Sequence, residues 1–161
     1  MTPESLRSRL IGAWSLVSYK TEPAKGGPTT YPMGKDVQGI IMYTPDGYMS
    51  AQLMTPGARP FAVADLSGGT QEELAEAMKH YLAYSGRFEV GEKGDGTPWL
   101  KHHMAVASYP NWLGNAQERV VRIEGEREGE EYLVLGTDGP ILVKGEKQLP
   151  TLTWRRMKSN I

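Results

Sequence analysis

The chain has 161 residues, a formal net charge of −1 and no cysteine. This length predicts a single domain over residues 1–161 with a sizeable core. The charge predicts no nucleic-acid partner, and the missing cysteine excludes disulfides and a thiolate nucleophile. The N-terminus is polar and no run of about 18 apolar residues occurs, which predicts a cytoplasmic protein with no membrane partner.

A short helix and three strands are predicted in the first third of the chain. Thr2 is a candidate N-cap before a proline, and Gly12 ends the helix. Strict alternation in the first strand places Trp14 and Tyr19 on opposite faces. The turn Thr44–Gly47 joins the next two strands as a hairpin. These strands are residues 13–20, 39–43 and 48–54.

One longer helix and a series of strands follow. Thr70 and Glu73 have the spacing of a capping box, which starts a helix predicted over about residues 71–84. Its apolar stripe includes Tyr81 and predicts a helix packed across one end of a barrel. Glycine-containing turns then separate short strands, as in an up-and-down barrel. These strands are residues 86–91, 99–108, 117–125, 131–137, 140–144 and 149–157.

The strand pattern predicts an all-β fold, an antiparallel barrel of eight to ten strands. A Gly-x-Trp at Gly12–Trp14 opens the first strand, and Trp154 lies in the last one. Such a pattern favours a barrel that closes on itself, because closure removes exposed sheet edges. A barrel of about eight strands has room inside for one small ligand. The sequence therefore predicts a ligand cavity as its main functional feature.

Five segments form a recognisable set, namely residues 12–19, 43–51, 81–86, 102–103 with 109–114, and 152–154. Together and in this order they resemble the lipocalin-like domain family of bacteria and fungi. The resemblance implies a lipocalin-like barrel with a central cavity for a hydrophobic molecule. Relatives with such barrels include cofactor-free cyclases and isomerases of polyketide or terpenoid metabolism. It also implies that Trp14 plugs the closed end under an arginine, for which Arg156 is the candidate.

Two adjacent histidines, His102 and His103, are candidates for chemistry. In a strand they point to opposite faces and cannot bind one metal together. With no cysteine and no local carboxylate cluster, we expect neither a metal nor a cofactor. Lys101 shares the face of His103, which favours His102 as the inward residue. An inward His102 either acts as an acid or base, or is a core histidine bonded to a tyrosine or a carbonyl.

Arg119 and the loop Tyr109–Gly114 are candidates for ligand recognition. Arg119 shares a strand face with Val121. If this face points inward, the cation suits a carboxylate or enolate-type ligand; otherwise Arg119 is a rim residue with a hydrated head. In the loop, Asn111 offers a donor and an acceptor, and Trp112 offers a flat aromatic face. The loop is interpreted either as a lid or mouth contact or as a rigid turn.

The leading predicted function is binding of a small, mostly hydrophobic molecule in the barrel, by a monomer or homodimer. The alternative is a cofactor-independent isomerase, cyclase or dehydratase in the same cavity, and a filled structural barrel is a third possibility. The catalytic candidates of the enzyme hypothesis are His102, Tyr84, Arg119 and Asn111. The candidates for ligand binding are Tyr43, Tyr48, Gln52, Tyr81, Trp112 and Met104.

Overall fold

The computed structural model describes residues 1–127 and 129–161, about half of which form antiparallel strands. In chain order the elements are α1 (Pro3–Leu10), β1 (Gly12–Pro23), β2 (Gln38–Tyr43), β3 (Tyr48–Met54), α2 (Gln71–Lys79), β4 (Tyr81–Glu92), β5 (Pro98–His103), β6 (Val106–Ala107), a 3-10 turn (Pro110–Trp112), β7 (Ala116–Arg127), β8 (Glu130–Gly136), β9 (Ile141–Val143) and β10 (Glu146–Arg156).

The sheet closes on itself through β1 and β10. On one side β1 pairs with β2, and on the other it pairs with β10, where Leu16 lies opposite Trp154. The strands β1-β2-β3-β4-β5-β7-β8-β10 therefore form a ring, with β6 added along β4 and β9 along β10. The prediction of an antiparallel barrel of eight to ten strands is confirmed. Because β1 and β10 pair with each other, neither edge strand of the eight-stranded ring is left without a neighbour.

One end of the barrel is sealed by Trp14 and Arg156. Trp14 is fully buried, and its indole Nε1 donates to the Leu10 carbonyl at 2.9 Å. The guanidinium carbon of Arg156 lies 4.0 Å from the centroid of the Trp14 ring, as the family resemblance implies. Arg156 also donates to Glu131 Oε2 at 2.6 Å and to the Ile11 carbonyl at 3.0 Å. These contacts join the last strand to the end of α1.

The second helix is shorter than the sequence predicts. The capping box forms as expected, with the Glu73 backbone N–H donating to Thr70 Oγ1 at 3.1 Å. The helix ends at Lys79, short of the predicted residue 84, because the chain from Tyr81 onward pairs with β3 as β4. A short apolar run fits a helix or a strand about equally well, and here pairing with a neighbouring strand decides the conformation. Neither α1 nor α2, the helices of the described residues, has the length and apolarity to span a bilayer.

A β-bulge changes the inward face of β1. The register against β10 shifts between Leu16 and Ser18. Before the bulge Trp14 and Leu16 are buried, and after it Thr21 is buried, one position out of phase with them. The prediction that Tyr19 lies on the face opposite Trp14 is therefore wrong, because the extra residue in the bulge turns Tyr19 to the interior.

Gly86 marks the point at which β4 changes partner. Before it β4 pairs with β6, and after it β4 pairs with β5. The strand predicted over residues 99–108 is therefore two shorter strands. A Cβ atom on Gly86 would lie 1.8 Å from the carbonyl oxygen of His103, which also accepts a hydrogen bond from the Ala105 backbone N–H at 3.1 Å. Glycine is required here because two backbones approach closely.

Candidate functional site

A cavity of about 430 Å³ lies at the end of the barrel away from Trp14. Its lining comes from six barrel strands, from β9 and from the segment around the 3-10 turn. Leu142 on β9 is 74% exposed, so this side chain marks the mouth of the cavity. The volume lies within the range of small-molecule sites. Most of the lining is apolar, including Leu53, Leu82, Leu135, Leu142, Val143 and Leu152.

Three aromatic side chains of the lining meet edge to face, namely Tyr84, Tyr109 and Trp112. Tyr109 and Trp112 have ring centroids 5.6 Å apart at an interplanar angle of 80°. Trp112 and Tyr84 are 5.5 Å apart at 83°. Such contacts hold aromatic rings in a defined orientation. The three rings therefore form a fixed aromatic wall that runs from the exposed Tyr109 to the buried Tyr84.

His102 lies directly behind this wall and is fully buried, whereas the partly exposed His103 pairs with Glu89 at 3.0 Å. The inward orientation predicted for His102 is confirmed. Its Nε2 shares a hydrogen bond of 2.9 Å with the Tyr43 hydroxyl. Burial lowers the pKa of His102 well below its usual value and raises the pKa of Tyr43 well above its own. The histidine and the tyrosine are thus a neutral pair.

Arg119 brings a cation to the cavity lining. It lies on β7 on the same face as the buried Val121, as the alternation predicts. Its Nη1 donates to the backbone carbonyl of Glu118 at 3.1 Å, while the Glu118 carboxylate approaches Lys101 at 3.6 Å. Burial raises the pKa of the neighbouring Tyr84, and the charge of Arg119 partly opposes this rise. Across the described residues, no group of three His, Asp or Glu side chains is arranged to hold a metal.

A family model for the lipocalin-like domain matches residues 11–157. The chain belongs to this lipocalin-like domain family. A relative from Aspergillus oryzae (strain ATCC 42149 / RIB 40) is 45% identical over 112 residues, which cover 68% of this chain and 96% of the relative. That relative is named 4'-hydroxy-3'-methoxypropiophenone carrier protein ppsC. The barrel and the likeness to a carrier protein support small-molecule binding by this lipocalin-like chain.

The structure distributes the ten sequence-predicted site residues of the lipocalin-like chain over three environments. Part of the set lines the cavity, namely Tyr84, Trp112 and Arg119. A second part is buried in the core outside the lining, namely Tyr43, His102 and Met104. The remainder is exposed, namely Tyr48, Gln52, Tyr81 and Asn111. Alternation along the strands explains why Tyr48, Gln52 and Tyr81 are exposed, because the residues next to them face the barrel interior. An outward orientation does not favour contact with a ligand in the cavity.

Several lining residues of the lipocalin-like barrel are missing from the prediction. Tyr19 was assigned to the wrong face because the bulge in β1 changes the alternation, and no residue in the sequence indicates this bulge. Gln117 lies two residues before Arg119 on β7, so the alternation that indicated Arg119 also carried the signal for Gln117. Tyr109 was predicted only as part of the candidate loop Tyr109–Gly114, and Thr137 follows the end of β8. In such connecting segments no periodicity indicates which individual side chains point inward.

Proposed function

We propose that this chain binds and carries a small, mostly apolar aromatic molecule in the cavity of its barrel. The observation that carries the proposal is an apolar cavity of about 430 Å³ with the edge-to-face rings of Trp112 and Tyr84 in its wall. Burial of a flat ring against such walls is favourable at about 25 cal/mol per Å² of apolar surface. The relative is named as the carrier of a hydroxylated aryl ketone, so we propose a phenolic aryl ketone as the ligand class.

The polar groups of the lining fit such a ligand. Tyr19, Gln117 and Arg119 all line the cavity and carry hydrogen-bond donors. A phenolic aryl ketone has two oxygen-bearing groups on an otherwise apolar frame. Few polar groups in a mainly apolar cavity are typical of sites that fix the orientation of one small molecule.

The proposal is tested by calorimetric titration with 4'-hydroxy-3'-methoxypropiophenone. We expect one ligand per chain. The Trp112→Ala variant should bind about 10- to 100-fold more weakly, since it loses an aromatic wall of the cavity. Trp99→Ala is the matched control, because Trp99 lies outside the lining and packs on Gly91 and Lys101. Its affinity should stay within about twofold of the original chain.

Two outcomes would count against the proposal. One is no detectable heat or saturable binding with the folded chain, checked by circular dichroism. The other is an equal loss of affinity in Trp112→Ala and Trp99→Ala, which would separate binding from the cavity.

The catalytic alternative is tested in the same samples. It requires proton transfer at the cavity, where Tyr84 and Arg119 lie, whereas His102 is enclosed behind Tyr84 and Asn111 is exposed. A carrier returns its ligand unchanged, so chromatography with mass detection after long incubation should recover only the added ketone. An isomer of the ketone that forms with the original chain and not in buffer would favour an enzyme.

A further inference from the structure

Arg119 lacks a counter-charge in the cavity that it lines. Within the described part of the chain its guanidinium makes no ion pair; Nη1 donates to the Glu118 carbonyl at 3.1 Å and more distantly to Gln117 Oε1 at 3.5 Å. The guanidinium also interacts with the Tyr84 side chain, whose hydroxyl is protonated. All three partners are neutral. A partly buried cation without a carboxylate partner costs free energy that a bound anion can recover.

The ionisable groups that face Arg119 do not supply that charge. Burial raises the pKa of Tyr19 on β1, of Tyr43 on β2 and of Tyr84 on β4, so these phenols stay protonated at neutral pH. Burial together with the charge of Arg119 lowers the pKa of His102 on β5, which therefore stays neutral. These four side chains leave the positive charge of Arg119 uncompensated.

The rest of the lining that the structure describes is also uncharged. The described residues that β8, β9, β10 and the segments between them contribute are aliphatic residues, Gly136, Thr137 and Pro150. From the aromatic wall, Tyr109 adds a hydroxyl that accepts a hydrogen bond from Asn111 Nδ2 at 2.9 Å. The nearest carboxylate in sequence, Glu118, lies beside Lys101 and Lys93 at 3.6 and 4.0 Å, so its charge is compensated there.

We propose that the cavity takes its ligand as an oxyanion, a phenolate whose negative oxygen lies against the guanidinium of Arg119. This inference rests on the proposed function and adds the ionisation state of the ligand and the residue that selects it. An acyl group conjugated with a phenol spreads the negative charge of the phenolate, so such phenols ionise near neutral pH. Arginine is suited to this role because it remains charged at every relevant pH.

The test compares two ligands that differ only in their ability to ionise. One is 4'-hydroxy-3'-methoxypropiophenone and the other is its O-methyl ether, 3',4'-dimethoxypropiophenone. An acylphenolate absorbs at longer wavelength than its neutral phenol, so absorbance reports the ionisation of the bound ligand directly. With the original chain, we expect the apparent pKa of the bound phenol to fall by about one unit or more. This shift corresponds to about tenfold tighter binding of the anion than of the neutral form.

Three variants assign the effect to Arg119. Arg119→Gln keeps a polar side chain without charge and should abolish the shift, while binding of the methyl ether stays within about threefold. Arg119→Lys keeps the charge and should restore part of the shift. Arg122→Gln is the matched control on the same strand, because Arg122 lies on the opposite face with 64% side-chain exposure. It should leave the shift unchanged.

The outcomes separate this inference from the proposed function. If the chain binds the phenol and its methyl ether equally and the absorbance shows a neutral phenol, the phenolate inference is overturned and the carrier function stands. The phenolate inference is likewise overturned if Arg119→Gln retains the shift. If neither ligand binds the folded chain, the proposed function fails and the inference fails with it. A shift that is lost only in Arg119→Gln supports both.

Discussion

The hydroxyl of Tyr43 and the Nε2 atom of His102 share a 2.9 Å hydrogen bond inside the barrel, and both side chains are almost fully buried. The bond joins β2 to β5 across the interior. Because burial opposes charge on either group, the two side chains stabilise the fold as a neutral pair. The pair thus makes the stability of the barrel sensitive to acid.

The first prediction concerns this acid sensitivity. His102 has a lowered pKa in the folded chain, so below pH 6.5 the unfolded chain binds a proton that the folded chain does not. The stabilisation is therefore complete above pH 6.5 and is lost as the pH falls below it, by at most about 1.4 kcal/mol per pH unit for one proton. Urea unfolding at several pH values measures this loss.

The variants His102→Asn and His103→Asn identify its source. His102→Asn is expected to be less stable at pH 7.5 but to have a flat profile between pH 6.5 and 5. His103→Asn should keep the loss, since His103 is partly exposed. An unchanged slope in His102→Asn would assign the acid sensitivity to other groups.

A second prediction concerns the sealed end of the barrel. Arg156→Ala removes the contact with Trp14, the ion pair with Glu131 and the bond to the Ile11 carbonyl. We expect the free energy of unfolding to fall by about 2–3 kcal/mol. Arg155→Ala is the control, because Arg155 has 49% side-chain exposure and pairs with Glu130 at 3.5 Å; its loss should stay below about 1 kcal/mol. Equal losses in urea denaturation would contradict a special role for Arg156.

A third prediction concerns the close approach at Gly86. Gly86→Ala places a Cβ atom 1.8 Å from the His103 carbonyl oxygen, so the junction of β5 and β6 must move. We expect a loss of about 3 kcal/mol, read as a lower thermal unfolding midpoint. Gly94→Ala has nothing within 4 Å of its Cβ and should change stability by less than about 0.5 kcal/mol. A Gly86→Ala chain as stable as Gly94→Ala would show that the two backbones separate easily.

The sequence predicted the barrel because alternation and turn residues are local signals. The hairpin around Thr44–Gly47 and the capping box at Thr70 both form as predicted. The end of α2 was misplaced because Tyr81 pairs with Met54 on β3. The two residues are far apart in the sequence, so a pattern read over neighbouring residues does not detect the pairing. Local periodicity thus identified the elements better than their bounds.

The site was less predictable than the fold. Alternation correctly predicted that His102 and Arg119 point inward. It does not distinguish a core position from a position in the cavity wall, and of these two residues only Arg119 lines the cavity. Tyr19 reaches the lining because of a bulge whose position depends on pairing with β10. The cavity itself arises where inward side chains leave space, a property of the assembled ring and not of any strand.

Trp14 and Arg156 close one end of the barrel, and the exposed Leu142 lies at the opening of the cavity at the other end. A ligand that enters and leaves through this opening follows the same path in both directions. A substitution at the opening therefore changes the association and dissociation rates together and leaves their ratio, the affinity, largely unchanged.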